Sequence, residues 1–164
     1  MQEHVEVDQK HLVLLTRALR AEGDGKTLSR ELVRELKAVV EPAAAAARAA
    51  ILSMGSTSDT EPGLRTTVAR MVKTGVRTTG KHPGVFIRAK KTGMPRNFNN
   101  APKRLNATKG WRHTVFGNDQ VWVTQRGKPG WFDDTIAAFK PAAIRAAQKV
   151  MDDMARRIDF KTRG

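Results

Sequence analysis

The stretch Gly110–Asp134, GWRHTVFGNDQVWVTQRGKPGWFDD, holds all 3 tryptophans of a chain that has no tyrosine and is only 5% aromatic. WRHTVF and QVWVT alternate large apolar with polar residues on either side of the turn signal GND, which predicts a β-hairpin. RGKPG ends the hairpin. From there the period changes, and Phe132, Ile136, Phe139, Ala143, Ala147, Val150, Met154 and Ile158 trace one helical stripe, with Asp133 as its cap and Pro141 as a kink. A hairpin delivering the chain into a long amphipathic helix argues for an α+β fold. Trp111, Phe116, Gly117, Trp122, Pro129, Trp131 and Phe132 then read as a structural hub. A base-stacking platform would need the tryptophans exposed on a basic sheet. Burial is the expectation instead, because each ring can remove roughly 150–250 Å² from water and a small sheet needs that area to hold a helix.

Upstream, Leu12, Leu15 and Leu19 mark a short helix that the two glycines of AEGDGK break. From Thr27, Leu28, Leu32, Leu36 and Val39 recur at three- and four-residue spacing opposite a charged face, the signature of a long helix. Pro42 should kink it or start a second segment, after which the alanine run keeps helix propensity high and the surface narrow. GSTSDTEPG reads as a linker, and LRTTVARMV as a short helix capped by Asp59 or Thr60. GVRTT and GVFIRAKK read as strands joined by the turn residues GKHPG. TGMPRNFNNAPKRLNATKG lacks periodicity and reads as a long surface loop. The order helix, helix, strands, helix predicts a small, mainly antiparallel sheet packed against a long N-terminal and a long C-terminal helix. Residues 1–26 form an N-terminal extension with a short helix, 27–160 a single α+β domain with a basic loop at about 90–110, and 161–164 a tail.

At 164 residues, 40% hydrophobic and 28% charged, the chain should fold around one modest core. With no cysteine it can have neither a disulfide framework nor a thiolate metal site. The polar, acidic N-terminus has the wrong order for a secretory signal and no apolar run suits a membrane span, so cytoplasmic synthesis is the expectation. The net charge of +14 is local: between Glu61 and Asp119 there is no acidic residue against thirteen lysines and arginines. Such a segment meets solvent, an anionic polymer or an acidic protein. Lys90, Lys91, Arg96, Lys103, Arg104 and Lys109 are its candidate contacts to a partner or to DNA.

Catalytic and cofactor motifs are weak. GVRTTGKH, Gly75–His82, approaches the phosphate-loop pattern but lacks its final hydroxyl, and Pro83 disfavours the helix that would cradle phosphate. GDGKT has Arg20 where the first glycine belongs. His4, His11, His82 and His113 show no metal-ligand spacing. His113 reads as an outward or edge-bonded strand residue, and Asp133 and Asp134 as partners of a helix dipole rather than an acid/base pair. The expectation is no enzyme, no cofactor and no metal.

The succession of an alanine-rich helix, a polar linker, GLRTTVARMV, strands, WRHTVFG, VWVTQRGKPGWF and a final amphipathic helix resembles the tail-completion and tail-terminator proteins at the neck of long-tailed double-stranded DNA bacteriophages. The likeness spans roughly Leu28–Ile158, and WRHTVFG and PGWF are its most specific parts. It implies a non-enzymatic virion protein, assembled in the bacterial host cytoplasm as a ring, with six copies expected. Such a ring would join head connector to tail tube, with genomic DNA passing non-specifically through its centre. A conduit lining that avoids gripping phosphate is expected of that family, so the basic loop is read as facing a neighbouring subunit or an acidic ring partner. The alternative is a basic DNA-binding protein using the acid-free segment 62–118.

Overall fold

The computed structural model describes residues 1–5, 7–55, 63–95, 98–115 and 118–163. Its elements run β1 (Gln2–Val5), α1 (Gln9–Ala21), α2 (Gly25–Leu52), α3 (Leu64–Arg70), β2 (Val72–Arg77), β3 (Gly84–Ala89), α4 (Ala101–Asn106), β4 (Trp111–Val115), β5 (Asn118–Gln125) and α5 (Asp133–Arg163). This is an α+β fold with long N- and C-terminal helices and a small antiparallel sheet. Three strands pair in the order β1-β3-β2, and β4 and β5 form a separate two-stranded sheet. The chain divides into two compact units, one of Met1, Ala44–Lys73 and Arg88–Ala138, the other of Gln2–Ala43, Thr74–Ile87 and Phe139–Gly164. Among the described residues, no helix is long and apolar enough to cross a membrane.

In the unit containing Gln2–Ala43, Asp8 caps α1 by accepting the His11 backbone N–H at 3.0 Å. Leu12, Leu15 and Leu19 are buried, as their spacing predicts. Leu28, Leu32 and Leu36 are buried on α2, but the stripe continues through Val40 rather than Val39. Four-residue steps overrun a turn of about 3.6 residues, so the buried face winds slowly around α2 and takes in Val40 instead of Val39. In α5, Ala143, Ala147, Met154 and Ile158 are buried, with Met151 in place of Val150. Arg157 pairs with Glu31 at 3.7 Å and Glu35 at 3.5 Å, joining α5 to α2. Hydrogen bonds from Lys149 and Arg156 hold the exposed Asp153 carboxyl below the ordinary aspartate range.

Several expectations are corrected. Of the two outcomes expected at Pro42, a second segment is excluded, because the helix runs from Gly25 to Leu52 with Pro42 inside it. Proline removes one intrahelical donor, and the alanines that follow supply enough propensity to continue. The N-terminal segment contributes a strand as well as a helix. Met1 accepts the Ala89 N–H at 3.1 Å, and β1 lies beside β3. β2 begins at Val72, earlier than GVRTT implies, and the residues 78–83 that join it to β3 are too few for a parallel crossover. The near-miss phosphate loop is therefore the end of β2 and the turn that follows it. At α3 the cap position is Gly63, with no side-chain cap bond, while Asp59 and Thr60 lie outside the described residues. The basic loop contains α4, whose Ala101, Pro102 and Leu105 are buried. Burial against its own unit, rather than a visible period, makes that short segment helical.

Candidate functional site

The unit containing Arg88–Ala138 builds its site from α4, the β4–β5 hairpin and the start of α5. Pro129, itself exposed, leads into Gly130, which turns the chain with φ of 69°. That left-handed backbone favours glycine, and an added Cβ would also push aside the Asp134 carboxylate. Trp131 and Phe132 follow, both buried, with ring centroids 5.4 Å apart in an edge-to-face arrangement. Trp131 donates its indole N–H to the Pro102 carbonyl at 3.3 Å.

Asn106, the last residue of α4, fastens the same corner. Its carbonyl accepts from Gly130 N–H at 3.1 Å, its side-chain oxygen accepts from Phe132 N–H at 2.9 Å, and its amide donates to Asp133 at 2.6 Å. Asp133 is thus a partner of Asn106 inside the first turn of α5 rather than its cap. Sequence reasoning missed Asn106. The one signal, an asparagine before the turn residues ATKG, is too common at helix ends to be selective.

The hairpin departs from the buried-hub expectation. β5 pairs antiparallel with β4, with Trp111 opposite Gln125, Arg112 opposite Thr124, His113 opposite Val123 and Thr114 opposite Trp122, and the register shifts between Thr114 and Val115. Every residue of β5 is exposed; Trp122 keeps 55% of its surface and Val121 46%. Trp111 is half-buried, and Phe116 and Gly117 lie outside the described residues. The correction has a simple cause. Alternation places side chains on two faces of a ribbon, but burial needs a second layer.

Pleating assigns those faces. On the foot side of the register shift, Trp111, His113, Val123 and Gln125 share one, while Val115 and Val121 are exposed at the shift itself. Arg112, Thr114, Trp122 and Thr124 share the other, where the Arg112 guanidinium lies 5.6 Å from the Trp122 ring centroid. The His113 ring nitrogen lies 2.8 Å from the Thr114 carbonyl. At the foot, Gly127 passes so close to the backbone of Leu105 that a side chain would not fit, seating the hairpin on α4.

The basic candidates are distributed through this unit. Lys103 and Arg104 occupy the last turn of α4, where cations oppose the helix dipole. Lys91 and Lys109 are exposed, Lys90 is half-buried at the end of β3, and Arg96 lies outside the described residues. The unit carries fourteen lysines and arginines against five acids, a net charge of +9. Among the described residues no three His, Cys, Asp or Glu side chains gather as a metal set.

In the other unit, an open groove of about 680 Å³ is lined by Arg20, Lys26 and Arg30 but also by Glu22 and Asp24. The Thr27 and Leu28 amides at the start of α2 already donate to the Asp24 carbonyl, so GDGKT does not present them to a phosphate. No family model, no curated protein and no solved structure matches the chain.

Proposed function

We propose that the chain is a structural, non-enzymatic virion protein that assembles as a ring at the phage neck or tail end, joining head connector to tail tube around the DNA. One observation carries this reading beyond the sequence resemblance: the β4–β5 hairpin leaves the apolar side chains of Val115, Val121 and Val123 uncovered. A lone two-stranded hairpin is marginal in water, and uncovered apolar side chains are the kind of surface a neighbouring subunit covers. WRHTVFG supplies strand β4 and PGWF the corner that holds the hairpin to α5, so the motifs of the resemblance coincide with this arm and its anchor. Self-association of one patch with a different patch on the next copy closes a ring when the rotation allows.

Electron microscopy and light scattering of the purified protein test the proposal. A ring of about six copies is expected from the resemblance, with little affinity for duplex DNA at physiological salt. A salt-stable monomer binding duplex DNA at submicromolar concentration would instead establish the second reading, a basic DNA-binding protein using residues 62–118. The +9 charge of the unit containing the hairpin favours that reading. Its affinity must fall steeply with salt, because each phosphate contact releases counterions.

A further inference from the structure

The hairpin face that carries Trp122 has a chemistry of its own. Trp122 is more than half exposed, and Arg112 approaches its ring from the diagonal position on β4. As a purely structural contact this is a cross-strand pair of modest worth. The surroundings give it a ligand. Thr114 and Thr124 share the face and offer uncharged hydrogen-bonding groups, while Lys109 and Arg126 stand exposed at the foot of the hairpin. Asp119 is the single acid between Gly110 and Arg126.

We infer that this face binds single-stranded nucleic acid without sequence preference, one base stacking on the Trp122 indole while Arg112, Lys109 and Arg126 neutralise phosphates. An exposed aromatic set in a basic surface is what single-strand recognition uses, because every base has a π-face. Charge complementarity selects the occupant: the unit bearing the hairpin is +9. A duplex satisfies the cations equally well but keeps its bases stacked inside, so the indole can distinguish single strands from duplex. The inference does not depend on ring assembly. It uses the face opposite His113 and Val123, so a neighbouring subunit on that side and a nucleic acid strand can be accommodated together.

The test is fluorescence anisotropy of the full-length protein with a labelled oligothymidine of about 20 nucleotides and a duplex of equal length, across about 50 to 500 mM NaCl. Oligothymidine should bind more tightly than duplex near physiological salt and quench tryptophan emission. Trp122→Ala should weaken it by about 5- to 150-fold. Trp122→Phe should retain most of the affinity, and Arg112→Ala should flatten the salt dependence by about 0.7 in log–log slope. Because Trp122 is exposed, the circular dichroism of both Trp122 variants should be native. Duplex bound as tightly as single strand, or a natively folded Trp122→Ala with undiminished affinity, would overturn the assignment. Sedimentation of the same samples separates the two proposals. A ring without single-strand preference removes only this one, and a monomer with that preference removes only ring assembly.

Discussion

Trp122 and Trp131 come from the same short run of sequence and meet opposite environments. Trp131 has 1% of its surface exposed, bonds the Pro102 carbonyl and packs edge-on against Phe132, whereas Trp122 lies open beside Arg112. Truncating the first removes a large buried ring and leaves the Pro102 carbonyl without its donor; truncating the second removes little that folding had buried. Trp131→Ala should therefore cost about 3–5 kcal/mol in urea unfolding, and Trp122→Ala under ~0.5 kcal/mol. Comparable losses would mean that the hairpin is covered in the folded monomer. Against a total stability on the order of 5–15 kcal/mol, the first loss should remove much of the cooperative transition. Phe132 was legible at this scale because it begins a helical period. Asn106 was not, since its three bonds to Gly130, Phe132 and Asp133 exist only once α4 and α5 are brought together.

The two small sheets differ in what supports them. In β3, Val85, Ile87 and Ala89 are buried on one face, while all of β5 is exposed. Amides in the β4–β5 ladder should consequently exchange with solvent through low-energy local opening, faster than those of Val85 and Ile87, in hydrogen-exchange measurements on dilute protein. Equal protection of the two ladders would contradict an uncovered hairpin. This difference also marks the limit of sequence reading for elements. Alternation in WRHTV and QVWVT identified both strands, because period-two chemistry is local; whether a layer covers them is a tertiary fact. The leucine stripes of α1 and α2 were legible for the converse reason, since long runs of period fix both the element and its buried face. β1, a polar QEHV, becomes a strand through its partner β3, and α4 becomes a helix through the burial of Leu105; neither has a periodic run long enough to announce itself.

Over the whole chain, the net charge of +14 opposes compaction. Local pairs offset part of it, among them Arg157 with Glu31 and Glu35, and Lys140 with Glu3 at 3.8 Å. All of these side chains are partly exposed, and such pairs contribute roughly 0–1 kcal/mol each, a contribution that salt also weakens. The two effects of salt have opposite signs, and the charge imbalance decides between them. Screening over about 10 Å at 0.1 M reaches the many unpaired repulsions in the acid-free segment, whereas contacts at 3.5–3.8 Å lie well inside that length and lose less. Raising NaCl from about 50 to 500 mM should therefore raise Tm, by about 2–4 °C for each kcal/mol of repulsion relieved in a chain of this size. Scanning calorimetry at fixed pH and low protein concentration measures the effect apart from assembly. A fall in Tm would mean that the short ion pairs outweigh the repulsion, leaving the folded chain little net electrostatic demand for an anionic partner.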